Sequence, residues 1–264
     1  MPFSAALLSM KPLYALLIIM AAFMLPTMAG FLVTRKFMPA GFEPSHNNIV
    51  GYIFGTLGVV YAVVLGFAIF LVWQEYEDSE HSVALEAGEA LAVYHDLSLY
   101  PDPAIAKPLK ESLASYLKSI ISEEYPAMAR MERSKATDGA FLDLWIRFKT
   151  LAPGNLQEQT VYSRTLTDMH SLAKSRTDRL QASYDELPEM IWLVLMVGAI
   201  ATLGCTLFFS ADHVKSHLAL TCLLAAVIAT VWFVIMGLDH PFLGWACIKA
   251  THCEKALEVM LQGL

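Results

Sequence analysis

The first residues that could do chemistry belong to one acidic stretch, residues 75–96, called the acidic stem below. It holds seven acids and two histidines and no Lys or Arg. Brought together by several copies of the chain, such acids would form a ring of negative charge that concentrates cations and repels anions. A solvated helix face gives the same pattern, so both interpretations stay open. The side chains nearest the start of the stem are Glu75, Glu77, Asp78, Glu80 and His81.

Metal binding has two weak signals in the sequence. Glu77 and His81 are four residues apart, so on a helix they could together hold a divalent cation such as calcium. Cys247 and Cys253 flank His252, but their spacing lacks the usual pattern of metal ligands. The sequence therefore fixes no cofactor, and a divalent cation is the one that we consider.

A third charged feature is Asp239, which directly follows an apolar stretch. A carboxylate at a helix C-terminus is unfavourable against the helix dipole, so a basic partner is expected. Arg176 and Arg179 are the candidates for a structural ion pair with Asp239. The alternative is a solvated cap, followed by a proline that stops the helix.

No pattern typical of catalysis is present. The chain lacks the nucleophile-elbow, zinc-protease, P-loop and dinucleotide-binding motifs. No carboxylate or histidine lies inside an apolar stretch, which argues against a proton-coupled transporter and an intramembrane protease. A net charge of −7 makes nucleic acid an unfavourable partner. We predict that the protein is not an enzyme and does not bind nucleic acid.

The elements that carry these residues are those of a membrane protein. Hydrophobic residues make up 56% of the 264 residues and charged residues 16%, against about 25% in soluble domains. Residues 74–189 have apolar side chains at helical spacing and no strand pattern. We predict an all-α membrane protein with four transmembrane helices and a helical soluble domain between helices 2 and 3. The uncharged stretches long enough to cross a bilayer are Pro12–Val33, Asn48–Trp73, Met190–Ser210 and Leu218–Leu238.

This pattern divides the chain into four segments. Residues 1–73 hold transmembrane helices 1 and 2, residues 74–189 the soluble domain, and residues 190–238 transmembrane helices 3 and 4. Residues 239–264 form a helical tail. Four spans place both termini and the soluble domain on one side of the membrane. Basic residues beside the spans are evenly divided, but free cysteines near the C-terminus favour the cytoplasm for that side.

The second span has two notable stripes and runs into the acidic stem without a Pro or Gly at the junction. Small residues share one face about 80° wide, and such faces let membrane helices approach closely, within one subunit or in a ring of subunits. Residues beside them could line a conduit and narrow it to a hydrophobic constriction, although lipid or core contact is the other interpretation. The small-residue face is Gly51, Gly55, Gly58, Ala62 and Gly66; the conduit face is Tyr52, Thr56, Val63, Phe67 and Phe70.

Short motifs along nearly the whole chain from about Gly55 resemble the small bacterial bestrophin-like membrane proteins. Bestrophins are oligomeric, calcium-gated anion channels whose second membrane helix lines the pore, so the resemblance implies a channel. The implied preference for anions conflicts with the acidic stem, which favours cations. The motifs are Val72-Trp-Gln-Glu75, Glu86-Ala87 with Leu91, Tyr116, Glu124-Tyr125 with Met128, Arg176 and Arg179 before Leu187-Pro188 and Trp192, Leu238-Asp-His-Pro-Phe242 with Gly244, and the closing helix Glu254–Met260.

Together these features predict an ion channel or pore in the bacterial inner membrane, with the soluble domain and both termini in the cytoplasm. Its second transmembrane helix lines the conduit, and the acidic stem forms a vestibule or a divalent-cation site. The expected partners are the lipid bilayer, inorganic ions and further copies of the chain, in a homo-oligomer of four or five subunits. The alternative is a non-conducting signalling or scaffold protein that couples the bilayer to a cytoplasmic partner.

Overall fold

The computed structural model of the chain describes residues 6–37, 44–209 and 213–263, and all regular structure in these ranges is helical. Nine α-helices are numbered here in chain order. They are α1 Pro12–Phe37, α2 Pro44–Ser98, α3 Pro103–Ser119, α4 Tyr125–Met128, α5 Lys135–Lys149, α6 Leu156–Ala182, α7 Glu189–Thr206, α8 Val214–Leu238 and α9 Thr251–Gln262.

Four of these helices are long and apolar enough to cross a membrane: α1, α2 from Asn47, α7 and α8. The prediction of an all-helical chain with four candidate spans is confirmed. The predicted helix through the junction at Trp73 is also present, because α2 continues without a break from Pro44 to Ser98.

The chain divides into two compact units. The first unit comprises residues 1–74 and 186–239, and the second comprises residues 75–185 and 240–264. Whether the second unit lies in the cytoplasm, as the sequence predicts, stays a prediction.

The first unit packs α1, α7 and α8 against the start of α2. Tyr61 of α2 is buried at its centre, and its hydroxyl accepts a hydrogen bond from Trp232 Nε1 at 3.2 Å. Gly198 of α7 makes room for this ring, since a Cβ there would lie 2.3 Å from Tyr61 Cδ2. Tyr61 therefore holds one face of α2 against its neighbours.

The second unit packs α3, α5, α6 and α9 around the later part of α2. Its core includes Leu113, Phe148, Leu172 and Met260, all at most 1% exposed. Polar side chains fix where the helices begin. Asp102 caps α3, Ser134 caps α5 and Asn155 caps α6, each by accepting a hydrogen bond from a backbone N–H of its helix.

Two local structures differ from the sequence pattern. Residues 104–124 read as one regular helix, but the chain forms a π-helical turn at Ile120–Glu124 before α4 begins. The pattern also favours a bend at Pro188 between α6 and the third span. Instead α6 ends at Ala182, and Pro188 is the N-cap residue of α7, so the connection is not helical.

Candidate functional site

All five residues of the conduit face are exposed in the single chain. Tyr52 is 80% exposed and Phe67 66%. Thr56 directs its hydroxyl to the carbonyl of Tyr52, 3.1 Å away, so its polar group is satisfied within the helix. The opposite face of α2, which includes Tyr61 and Val72, is buried. The conduit face is thus free to contact lipid or other copies of the chain.

The small-residue face is also exposed, partly at Gly51 and Gly58 and fully at its other three residues. A Cβ placed on Gly51, Gly55, Gly58 or Gly66 would meet no described atom within 4 Å beyond the adjacent backbone of α2 itself. Ala62, the fifth member, is exposed as well. Among the described residues no atom outside α2 packs on these glycines, and the first of the two interpretations, contact within one subunit, stays a prediction. Close packing against another copy stays a prediction.

A third exposed surface of α2 is an apolar groove shared with α7, here called the α2–α7 groove. It consists of two neighbouring cavities of about 310 and 440 Å³ that have Leu57 in common. Val60 and Val197 line the first cavity, and Ile53 and Ala201 line the second. The groove runs along several turns of the membrane half of α2.

The three surfaces divide the circumference of α2 in a regular way. At 100° per residue, the small-residue face and the groove face of α2 point about 160° apart. The conduit face lies between them, about 100° from each. A cyclic assembly needs two different contact surfaces on opposite sides of each subunit, because each copy contacts its two neighbours with different patches. The membrane half of α2 has this arrangement.

The acidic residues at the start of the stem are mostly exposed. Glu77, Asp78, Glu80 and His81 face solvent, while Glu75 is partly buried. Burial raises the pKa of Glu75, and the nearby carboxylates of Asp185 and Asp78 raise it further. Among the described residues, no group of three or more acids, histidines and cysteines is arranged to hold a metal ion. A divalent-cation site at Glu77 and His81 would need ligands from further copies of the chain.

The densest polar arrangement of the second unit is a buried ion network centred on Arg179. Its guanidinium binds the Glu86 carboxylate through Nε and Nη2, and Nη2 also contacts Glu124. The Tyr116 hydroxyl donates a hydrogen bond to the Glu86 carboxylate, and Arg176 Nη2 donates one to Glu124. Arg179, Glu86 and Glu124 are each 0% exposed. Acids and bases alternate along the network, so each buried charge has an opposite neighbour.

The pKa values in this network follow from the pairing. Burial opposes the charge of Arg179, but the Glu86 and Glu124 carboxylates outweigh it and hold its pKa well above the ordinary value. Burial, and then the negative charge of Glu86, raise the pKa of Tyr116. Arg179 is therefore a permanent cation and Tyr116 a permanent hydrogen-bond donor.

This network corrects one expectation from the sequence. Arg176 and Arg179 were expected to pair with Asp239, but in the structure their acidic partners are Glu86, Glu124 and Asp138. Asp239 Oδ1 instead accepts a hydrogen bond from the backbone N–H of Leu187, at 2.7 Å. The physical reason is tertiary structure: α2 carries Glu86, and the π-helical turn carries Glu124, to the arginines, although both acids are distant from them in sequence.

Two members of the network were missed as functional residues. Glu86 looks in sequence like one more acid of a solvated stem, and Glu124 like the end of an amphipathic helix. One signal could have found them, because the short motifs that resemble the bacterial bestrophin-like proteins include Glu86, Tyr116, Glu124, Arg176 and Arg179.

The fold and the exposed membrane face define an all-helical, multi-span membrane protein with a second helical unit. Residues 21–251 match the Bestrophin-like domain, and the chain belongs to the bestrophin-like family. The predicted resemblance is confirmed. Among curated proteins, none matches this chain.

Crystal structures of a bacterial bestrophin homolog from Klebsiella pneumoniae have the same fold. A point-mutant structure has a TM-score of 0.71 at 13% identity, covering 93% of this chain and 99% of that chain. The structure solved by Zn-SAD phasing has a TM-score of 0.67 at 13% identity, covering 93% and 97%. At such low identity these likenesses establish the fold and leave the role of individual residues to physical argument.

Proposed function

We propose that the chain forms a homo-oligomeric ion channel whose conduit is lined by Tyr52, Thr56, Val63, Phe67 and Phe70. The main support for this proposal is that the conduit face is exposed on an uncharged membrane helix whose opposite face is buried. Bestrophin homologues are oligomeric ion channels, and family membership makes a channel the first function to test. Phe67 and Phe70 form the hydrophobic constriction of the proposed conduit.

The bare surfaces of α2 support a ring of these helices. When the conduit face points to the axis, the small-residue face of one copy meets the α2–α7 groove of the next. Membrane helices gain little from hydrophobicity alone, so close backbone approach at glycines is a main source of their association. Four or five copies are the expected number, and this contact repeats around the ring until it closes.

The acidic stem forms the vestibule of the proposed channel. Exposed Glu77, Asp78 and Glu80 carry charge without a nearby Lys or Arg in sequence. A ring of such carboxylates attracts cations, and a divalent cation would find its ligands there, shared among copies. The channel lies in the bacterial inner membrane, with the second unit and both termini in the cytoplasm.

The experiment is ion flux through purified protein in liposomes, under potassium and chloride gradients, with and without calcium. Phe67→Ala widens the constriction and is expected to raise flux. Its matched control is Leu223→Ala, which shortens an apolar side chain of α8 that is 61% exposed and is expected to leave flux unchanged.

Charge reversal tests the vestibule in the same assay. The double variant Glu75→Lys and Glu77→Lys is expected to shift permeation from potassium towards chloride. Glu123→Lys, an exposed acid elsewhere in the second unit, controls for a general change of surface charge. Intact, oligomeric protein that passes no ion under any condition would overturn the channel. The non-conducting scaffold, with α2 linking membrane and partner, would then take its place.

A further inference from the structure

Only part of the acidic stem contributes negative charge to its surface. Glu86 and Asp96 are buried, and each forms an ion pair with an arginine of α6. Glu75 and Glu89 are partly buried. The three acids that are fully exposed all lie in the first two turns of the stem, and they are Glu77, Asp78 and Glu80.

Two histidines, His81 and His95, lie on the exposed side of the stem. At 100° and 1.5 Å per residue, they point about 40° apart around the helix and lie about 21 Å apart along it. The exposed residues between them are Leu85 and Gly88, which carry no charge. A Cβ added at Gly88 would meet no described atom within 4 Å beyond the adjacent backbone of α2. Both imidazoles are therefore on a side of the stem that the described chain leaves open.

His81 lies among the exposed acids of the stem. Glu77 precedes it by four residues and Asp78 by three, the spacings at which side chains of a helix meet. Glu80 is next to it in sequence, and Asp185, in the segment after α6, adds a carboxylate near the start of the stem. These neighbours are all acids, so a proton on His81 would offset part of their negative charge.

His95 has charged neighbours of both signs. Its ring contacts the Tyr94 ring edge to face, with the centroids 6.0 Å apart. Since Asp96 is already paired with Arg164, a proton on His95 adds positive charge to the exposed surface. The charged groups around His95 are Asp96, Arg164 and Asp168 of α6, and Lys110 of α3, whose Nζ lies 4.9 Å from the Tyr94 ring centroid.

We propose that His81 and His95 make the ion preference of the vestibule depend on pH. This inference rests on the proposed channel. Imidazole is the side chain that ordinarily changes its charge between about pH 5 and about pH 8. When both histidines are protonated, two positive charges offset the three exposed acids in every copy of the chain. A less negative vestibule concentrates cations less, so acidification weakens the preference for cations.

The test is the reversal potential of ion current through purified protein in planar bilayers, under a potassium chloride gradient, at about pH 8 and about pH 5.5. In the unmodified protein, we expect acidification to move the reversal potential towards the equilibrium potential of chloride. The double variant His81→Gln and His95→Gln is expected to have the same reversal potential at both pH values. His252→Gln, which removes an exposed histidine of α9, is the control and is expected to keep the full shift.

A permanent positive charge provides a second readout. The double variant His81→Lys and His95→Lys is expected to show at about pH 8 the reversal potential that the unmodified protein has at about pH 5.5. A shift that persists in the glutamine double variant would overturn the inference, because carboxyl groups would then be titrating. Current with one reversal potential at both pH values in the unmodified protein would overturn it and leave the channel intact. The absence of any current would overturn the channel and the inference together.

Discussion

Single side chains in the buried ion network differ sharply from those on the surface. Arg179 binds Glu86 and Glu124, and all three are removed from water. Removing one partner of a buried pair leaves a charge without compensation, which costs about 3–5 kcal/mol. An exposed pair such as Arg130 and Glu132, 61% and 62% exposed, is worth about 0–1 kcal/mol.

We therefore predict that Arg179→Met strongly destabilises the protein, by about 3–5 kcal/mol. Glu132→Gln, the control, is expected to change stability by less than about 1 kcal/mol. Chemical denaturation of both variants in detergent measures the difference, followed by a signal of the second unit. Equal, small effects would mean that the network is solvated rather than buried.

The sequence predicts some of these features and not others. The four apolar spans can be predicted from the sequence because a bilayer imposes a length and a composition on a contiguous segment. The burial of Glu86 cannot be predicted from the sequence, because it depends on pairing with Arg179, 93 residues away. The same holds for the exposed glycines: a stripe of small residues predicts close packing but does not tell which chain supplies the partner. The spans could be predicted from local pattern, while the pairings needed tertiary structure.

Two glycines on the membrane helices allow folding of the subunit to be distinguished from its assembly. A Cβ added at Gly198 would collide with the Tyr61 ring, whereas one added at Gly58 would meet no described atom outside the adjacent backbone of α2 within 4 Å. Gly198→Ala is expected to destabilise the subunit, since overpacking a core costs about 1–3 kcal/mol. Gly58→Leu is expected to leave the subunit folded and to prevent close approach of neighbouring copies.

Light scattering and circular dichroism on both variants check this difference. Gly58→Leu should give helical protein of lower mass than the unmodified oligomer, and Gly198→Ala should show a lower unfolding temperature. If Gly58→Leu keeps both the mass and the unfolding temperature of the unmodified protein, the small-residue face contacts lipid, and the proposed ring needs another interface.

Carboxyl groups with shifted pKa values make the stability of the whole molecule depend on pH. Burial and then nearby carboxylates raise the pKa of Glu75 and of Glu89, so the folded chain releases these protons later than the unfolded chain. Their contribution to stability falls as pH rises above their ordinary value of 4.5. Asp138 acts in the opposite sense. Burial opposes its charge, but hydrogen bonds from Arg176 and Arg133 outweigh it and lower its pKa.

These opposite shifts predict a stability maximum on the acid side of neutrality. The contribution of Asp138 is complete above its ordinary pKa of 3.8 and is lost as pH falls through its lowered pKa. At higher pH, Glu75 and Glu89, whose pKa values are raised, lose their protons and the stability of the fold decreases. Thermal unfolding from about pH 3 to about pH 8 measures the curve, and Glu75→Gln should flatten its neutral side. An unfolding midpoint that rises steadily towards pH 8 would contradict this prediction, because Glu75 and Glu89 would then behave as solvated carboxylates.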